Sequence, residues 1–147
     1  MTILCAGVTG FEPAPSVDSV LFKKICQSVP GFRVVDFSPA HPGRNYHECS
    51  ALTEEGRFRI LLNAHYPYLA FAKSEALEFL DKPGLTGMFE QHYQVLSPLQ
   101  LSEPLHFGKK GKKIYVVNEN TLHEADLLQL AYWRPGTVGE AVFNHWD

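Results

Sequence analysis

Cys49 lies beside His47 and Glu48 in a stretch of strand-forming residues. A cysteine thiolate with an imidazole base across a sheet is the arrangement here that would make a nucleophile, and His65, on the next apolar run, offers the imidazole. If Glu54-Glu55-Gly56 forms the turn between them, pairing runs roughly 52 with 58, 50 with 60 and 47 with 63. That register carries His65 past Cys49 along the ladder, so Cys49 is expected to be an inert buried thiol. Cys49, His47 and His65 remain candidates for catalysis that their geometry disfavours. Gly-x-Ser-x-Gly is absent, and no glycine-flanked serine opens a helix. The sequence leaves enzyme activity open and leans against it.

Seven histidines invite a metal or proton-transfer hypothesis, but no pair stands at HxH or HxxxH spacing. His41 and His47 are six apart, and His123-Glu124-Ala125-Asp126 lacks the second histidine of a zinc helix. We therefore expect no metal and no cofactor. Lys109, Lys110, Lys112 and Lys113 concentrate charge at a glycine-bearing turn, where ammonium groups would meet an acidic partner. The same lysines are no phosphate-binding loop, because no serine or threonine follows them and no helix opens there. Nucleic acid is disfavoured, since Phe107 and Tyr115 are the only aromatics nearby. Tyr66, Tyr68, Phe71, Tyr132 and Trp133 are the large side chains enriched at protein interfaces. Pro67 between two tyrosines points to a sheet edge. Lys109, Lys110, Lys112, Lys113, Tyr66 and Tyr68 are thus the expected partner-binding residues. Glu48, Glu54, Glu55, Glu75, Glu78 and Asp81 form no acid–base pair by spacing.

The frame that must position these groups is ordinary in size: 147 residues, 45% hydrophobic, 20% charged, with a formal charge of -3. These values fit one domain with one closed core, and exclude disorder and collagen. The longest apolar runs are far too short to span a membrane. The net charge gives no global pull toward nucleic acid or anionic lipid. Cys5, Cys26 and Cys49 are odd in number and widely spaced, a poor framework for disulfides or zinc, so a cytoplasmic setting is expected. The opening residues 1–8 are apolar without a preceding positive charge, a poor secretory leader, and the lipoprotein reading of Leu4-Cys5-Ala6 is disfavoured because only a few apolar residues precede Cys5.

The expected elements begin with a stiff proline-containing stretch over 11–15. Next comes a helix capped by Ser16 or Asp18, with Val17, Val20, Leu21, Ile25 and Cys26 as its apolar side, ended by Pro30-Gly31. Residues 32–37 read as a strand. Residues 46–53 and 57–64 read as a hairpin whose glycine takes positive φ, and 66–72 as a third strand. A short helical turn is expected from Ser74 to Leu80, closed by Pro83-Gly84. A second helix is expected from Thr86, carrying Phe89, His92, Tyr93 and Leu96 and stopped by Pro98. Residues 105–107 and 114–117 bracket the lysines as another hairpin, and 122–133 is open between helix and strand. Thr137 with Glu140 forms a capping box for a terminal helix bearing Val138, Ala141, Val142, Phe143 and Trp146. Asp147 and the terminal carboxylate would sit at its unfavourable end. The sum is an α+β single domain over 1–147, an antiparallel sheet of about five or six strands with three or four helices packed on it.

Trp133, Pro135, the Gly139-Glu140 step and the Phe143-Asn144-x-Trp146-Asp147 finish resemble the ending of a group of small bacterial proteins. Some members of that group are similar to immunity partners of polymorphic toxins. The match covers 132–147, about a tenth of the chain. The resemblance implies a small soluble protein whose partner is a toxin and which works by contact. Such inhibition needs rigid shape and complementary charge and no catalytic group. The alternative is an enzyme or small-ligand binder with a pocket between sheet and helices, using some of His47, Cys49, His65 and His92.

Overall fold

The computed structural model describes residues 2–11 and 16–146. The expectations for the prolines of 12–15 and for Asp147 lie outside the described residues. The elements run β1 (Leu4–Cys5), α1 (Ser19–Ser28), β2 (Arg33–Ser38), β3 (Tyr46–Thr53), β4 (Gly56–Asn63), β5 (Tyr68–Lys73), β6 (Phe79–Leu80), α2 (Pro83–Phe89) and β7 (Gln94–Val95). There follow α3 (Pro98–Leu101), β8 (Phe107–Lys110), β9 (Lys113–Val116), β10 (Asn120–Thr121), α4 (Glu124–Trp133) and α5 (Val138–Val142). The fold is α+β, with five helices among the described residues where three or four were expected.

The central sheet has the order β2-β3-β4-β5-β6 and is antiparallel, with β7 added parallel to β5. Alternation along the strands buries both of its faces. Cys49, Ala51, Phe58, Ile60, Leu62, Leu69 and Phe71 point to one side, where Phe22 and Cys26 of α1 and Phe89 of α2 cover them. Leu61, Tyr68, Ala70 and Ala72 point to the other, against Leu101, Leu130, Val138 and Phe143. Sequence periodicity put Val20 and Leu21 on the buried side of α1, but both are exposed and the true contact stripe is Phe22 and Cys26, at i and i+4. Asp18 is the cap, accepting from the amides of Val20 and Leu21.

The β3–β4 hairpin forms over the expected residues, with Gly56 at φ +119°. Its register is one residue tighter than expected: Leu52 faces Arg57, Ser50 faces Arg59 and His47 faces Leu62. Only Glu54 and Glu55 lie between the strands, because Gly56 itself pairs with Thr53.

Two expected helices are corrected. Residues 79–80 are not a helical end but β6, whose Phe79 and Leu80 pair with Ala72 and Phe71. The chain reverses through a turn closed by the Lys73 amide on the Glu78 carbonyl. Pro83-Gly84 therefore opens α2, proline occupying the first turn, where its missing N–H costs nothing. The helix expected from Thr86 to Leu96 stops at Phe89, and 94–95 pairs with Tyr68 and Leu69. Phe89 and Tyr93 pack on one face of the sheet while Leu96 crosses to the other, and His92 is exposed, so no single helical stripe exists there. Pro98 starts α3, and Ser97 and Gln100 exchange bonds as a capping box. The open stretch 122–133 resolves as helix α4. α5 ends at Val142, short of the chain terminus. Thr137 Oγ1 accepts the Glu140 amide, while Glu140 reaches the Gly136 amide, so the box is closed one residue early.

Polar groups in the interior tie these layers together. Asn45 and Asn63 each donate to the carbonyls of both Val8 and Val142, at 2.8–3.0 Å. Asn144 donates its side-chain amide to Thr9 O and its backbone amide to Asn45 Oδ1. Asp126 of α4, fully buried, accepts from the Gly7 amide (2.9 Å), the His123 amide (3.1 Å) and the Thr9 hydroxyl. The turn at 6–9 is thereby a hub joining the sheet end, α4 and α5. Substituting Asp126→Ala strands three donors in a dry site. We expect it to lower unfolding free energy by about 3 kcal/mol, seen as a reduced urea midpoint with unchanged slope.

Candidate functional site

The thiol and imidazole candidates do not assemble. Cys49 is fully buried on the α1 side of the sheet, facing Ile60 across the ladder, and its neighbour is Cys26 of α1. The two thiols are neighbours in the same core cluster, and the interaction with Cys49 together with burial pushes the Cys26 pKa far up. Their sequence separation gave no sign of this contact. His65 follows the end of β4, away from Cys49. His47 is buried too: Nδ1 accepts the Ala40 amide at 2.9 Å, while Nε2 has no hydrogen-bond partner. Burial first, then the Arg44 guanidinium and His65, hold the His47 pKa below its ordinary value. Its neighbour Arg44 fastens the 38–45 loop through Ser38 O, Pro39 O and Tyr46 O. Among the described residues, no three His, Cys, Asp or Glu side chains are grouped to hold a metal. No helix among them is long and apolar enough to cross a membrane.

The expected tyrosine edge is corrected. β5 is paired along one side by β4 and along the other by β6 and β7, so it has no free edge. Tyr68 and Phe71 are buried, and Tyr66 stacks on Tyr68 with its hydroxyl on the Ala6 carbonyl. The two tyrosines fasten the N-terminal segment, Tyr66 half-buried and Tyr68 buried, while Phe71 packs against Phe58 and Phe89 on the other face. Pro67 marks the first residue before the strand, a position proline tolerates equally well.

Residues 133–135 and 143–146 border a cavity of about 560 Å³, with Tyr46, Arg59 and Glu140 also in its wall. Trp133 and Trp146 stack at 5.8 Å, and Phe11 stacks on Trp146 at 5.9 Å. Arg59 is engaged by Glu48 at 2.6 Å and by the carbonyls of Lys73 and Ala76. The guanidinium is thus tied to the fold, and the C-terminal motif is a packing device whose Phe143 and Asn144 are buried.

The lysines occupy a distinct place. β8 and β9 form their own two-stranded sheet, and Lys109, Lys110, Lys112 and Lys113 are all exposed on it. Phe107, half buried, and Leu105 and Val116, both buried, root this hairpin in the core. Arg134, closing α4 in the left-handed region at φ 50°, lies over the Phe107 ring at 5.4 Å. Gly108 faces Tyr115, and a Cβ there would meet the Tyr115 ring at 2.3 Å, so the glycine lets that ring lie across β8. Between β9 and α4 runs a second cavity of about 560 Å³, walled by Ile114 and Tyr115 on one side and Leu127, Leu128 and Ala131 on the other. Sequence reasoning found the lysines but not these α4 residues. The signal was the apolar character of 127–128 beyond what one buried helix face requires.

Compared with family models, curated proteins and solved structures, the chain matches none.

Two outcomes follow from the buried groups. With an aromatic disulfide reagent on the native protein, partly exposed Cys5 is expected to react first, with Cys26 and Cys49 reacting only on unfolding; rapid native modification of Cys49 would contradict its enclosure. For His47, the unfolded state takes up the proton at higher pH than the folded state. Its contribution is therefore complete above about pH 6.5 and is lost as pH falls toward its lowered folded value. The urea midpoint should drop between about pH 7 and about pH 5, and His47→Asn, whose amide oxygen stands in for Nδ1, should drop less. Equal drops would assign the titration to other groups.

Proposed function

We propose that this chain works by binding a protein partner, as a cytoplasmic inhibitor of the immunity type, with the lysine hairpin as its contact face. The observation that carries the reading is charge segregation. A chain of formal charge -3 displays four exposed lysines on one small sheet, and among the described residues their one ion-pair partner there is Glu124, at 3.2 Å from Lys113. Such a patch steers an acidic partner into orientation before contact and accelerates encounter. The resemblance of 132–147 to the ending of small bacterial proteins, some of them similar to immunity partners of toxins, suits the same reading. So does the burial of Cys49 and His47, which encloses the thiol and one of the imidazoles that the enzyme reading would use.

A second reading, a small-ligand site, is favoured by the cavity beside Trp133 and Trp146, whose size falls in the range of ligand pockets. A ligand there would change tryptophan emission on titration.

The test uses partner captured from the native host. Lys109→Glu with Lys112→Glu is expected to slow association about tenfold at low salt, and much less at high salt. An unchanged rate at low salt would remove the hairpin as the contact face, and failure to capture any protein would remove the interaction reading itself.

A further inference from the structure

α4 is apolar on two sides, and the fold covers the second only in part: Leu127 is half-buried against the core while Leu128 is exposed. Asp126 and Leu130 are turned fully inward, fixed by the bonds from Gly7, Thr9 and the core. With the helix held in that rotation, Glu124, Leu127, Leu128 and Ala131 form a separate stripe at i, i+3, i+4 and i+7, turned toward β9. Leu128 is 70% exposed and Tyr115, across the groove, 44% exposed. Lys110, Lys112 and Lys113 stand at the mouth of the same groove.

We propose that this groove receives an amphipathic acidic helix of the partner protein, lying along α4 with its apolar side chains between Leu128 and Tyr115 and its carboxylates against the three lysines. The assignment rests on the protein-binding reading above and adds the occupant. Complementarity sets its charge: the mouth carries three lysines against Glu124 alone. The Lys113–Glu124 pair is more than four-fifths exposed at both ends, so an incoming carboxylate can replace Glu124 at little cost. The helical form follows from the wall, since a stripe at i, i+3, i+4 and i+7 is the surface on which another helix packs ridge into groove. The stripe is about two turns long, which sets the length of the contact. Concavity separates this occupant from a lipid surface, which a ridge would enter and a groove would not. The apolar walls separate it from a nucleic acid, whose phosphates would find lysines only at the mouth.

The test is methyl-resolved NMR of the full chain titrated with a synthetic acidic amphipathic helical peptide, leucine on one face and glutamate on the others. Three comparison probes are a scrambled peptide of the same composition, phosphatidylglycerol vesicles, and single-stranded DNA. The expected result is saturable shifts of the Ile114, Leu127 and Leu128 methyls with the amphipathic peptide and weaker ones with the scrambled peptide. Leu128→Glu, and the triple variant Lys110→Glu, Lys112→Glu, Lys113→Glu, should each weaken binding about tenfold or more, and exposure of all four side chains keeps these variants folded. Shifts of equal size with the scrambled peptide would overturn the proposal, as would shifts confined to the tryptophan cavity or a groove that answers only to vesicles or DNA. If the groove fails while Lys109→Glu with Lys112→Glu still slows the captured partner, the occupant is wrong and the interaction reading stands. If no partner is captured, that reading falls separately.

Discussion

A buried carboxylate with neutral partners organises this molecule. Asp126 has no exposed surface, and its oxygens are satisfied by two backbone amides and a hydroxyl. A charge in that position is tolerable only if every lone pair finds a donor. Two of the donors come from the 6–9 turn, which cannot shift because the Val8 carbonyl is gripped by Asn45 and Asn63 and the Thr9 carbonyl by Asn144. Remote parts of the chain, the opening turn, the end of the β3–β4 hairpin, α4 and the C-terminal segment, are therefore held by one connected set of hydrogen bonds. Such a set specifies a single arrangement when complete and is costly when one member is removed.

The outward consequences follow from that inward lock. Fixing Asp126 and Leu130 toward the core sets the rotation of α4, which leaves Leu127, Leu128 and Ala131 facing the hairpin. The hairpin in turn is rooted by Leu105, Phe107 and Val116, so its lysines stand on a rigid base. Rigid presentation of apolar anchors beside charge suits recognition, because little ordering is left for the moment of binding. His47, Cys26 and Cys49 have gone the other way, into the interior, where the titration of His47 affects stability.

Much of the frame was legible in the residues. The β3–β4 hairpin could be read because both strands alternate and Gly56 marks the turn, yet its register could not, since whether the glycine belongs to the turn or the ladder is decided by one hydrogen-bonded pair. Residues 79–80 and 94–95 misled because two-residue strands carry no period of their own and exist only through pairing with β5. Residues 122–133 were ambiguous because α4 is apolar on two faces, and the same excess that hid the helix marks the groove. Lys109 to Lys113 were legible as a charged turn by composition alone. Tyr66 and Tyr68 were misjudged because Pro67 fits a strand's start as well as an edge. The Cys26–Cys49 contact and the Asp126 lock join residues far apart in sequence, and nothing local announces either.

The central claim, that contact through the β8–β9 and α4 face is what this molecule does, is tested most directly by hydrogen–deuterium exchange of the full chain with and without its captured partner. The account predicts added protection over 107–116 and 124–133 with little change elsewhere. Protection concentrated at 38–47 and 64–65, around the buried histidine, with 107–116 and 124–133 unaltered would contradict it.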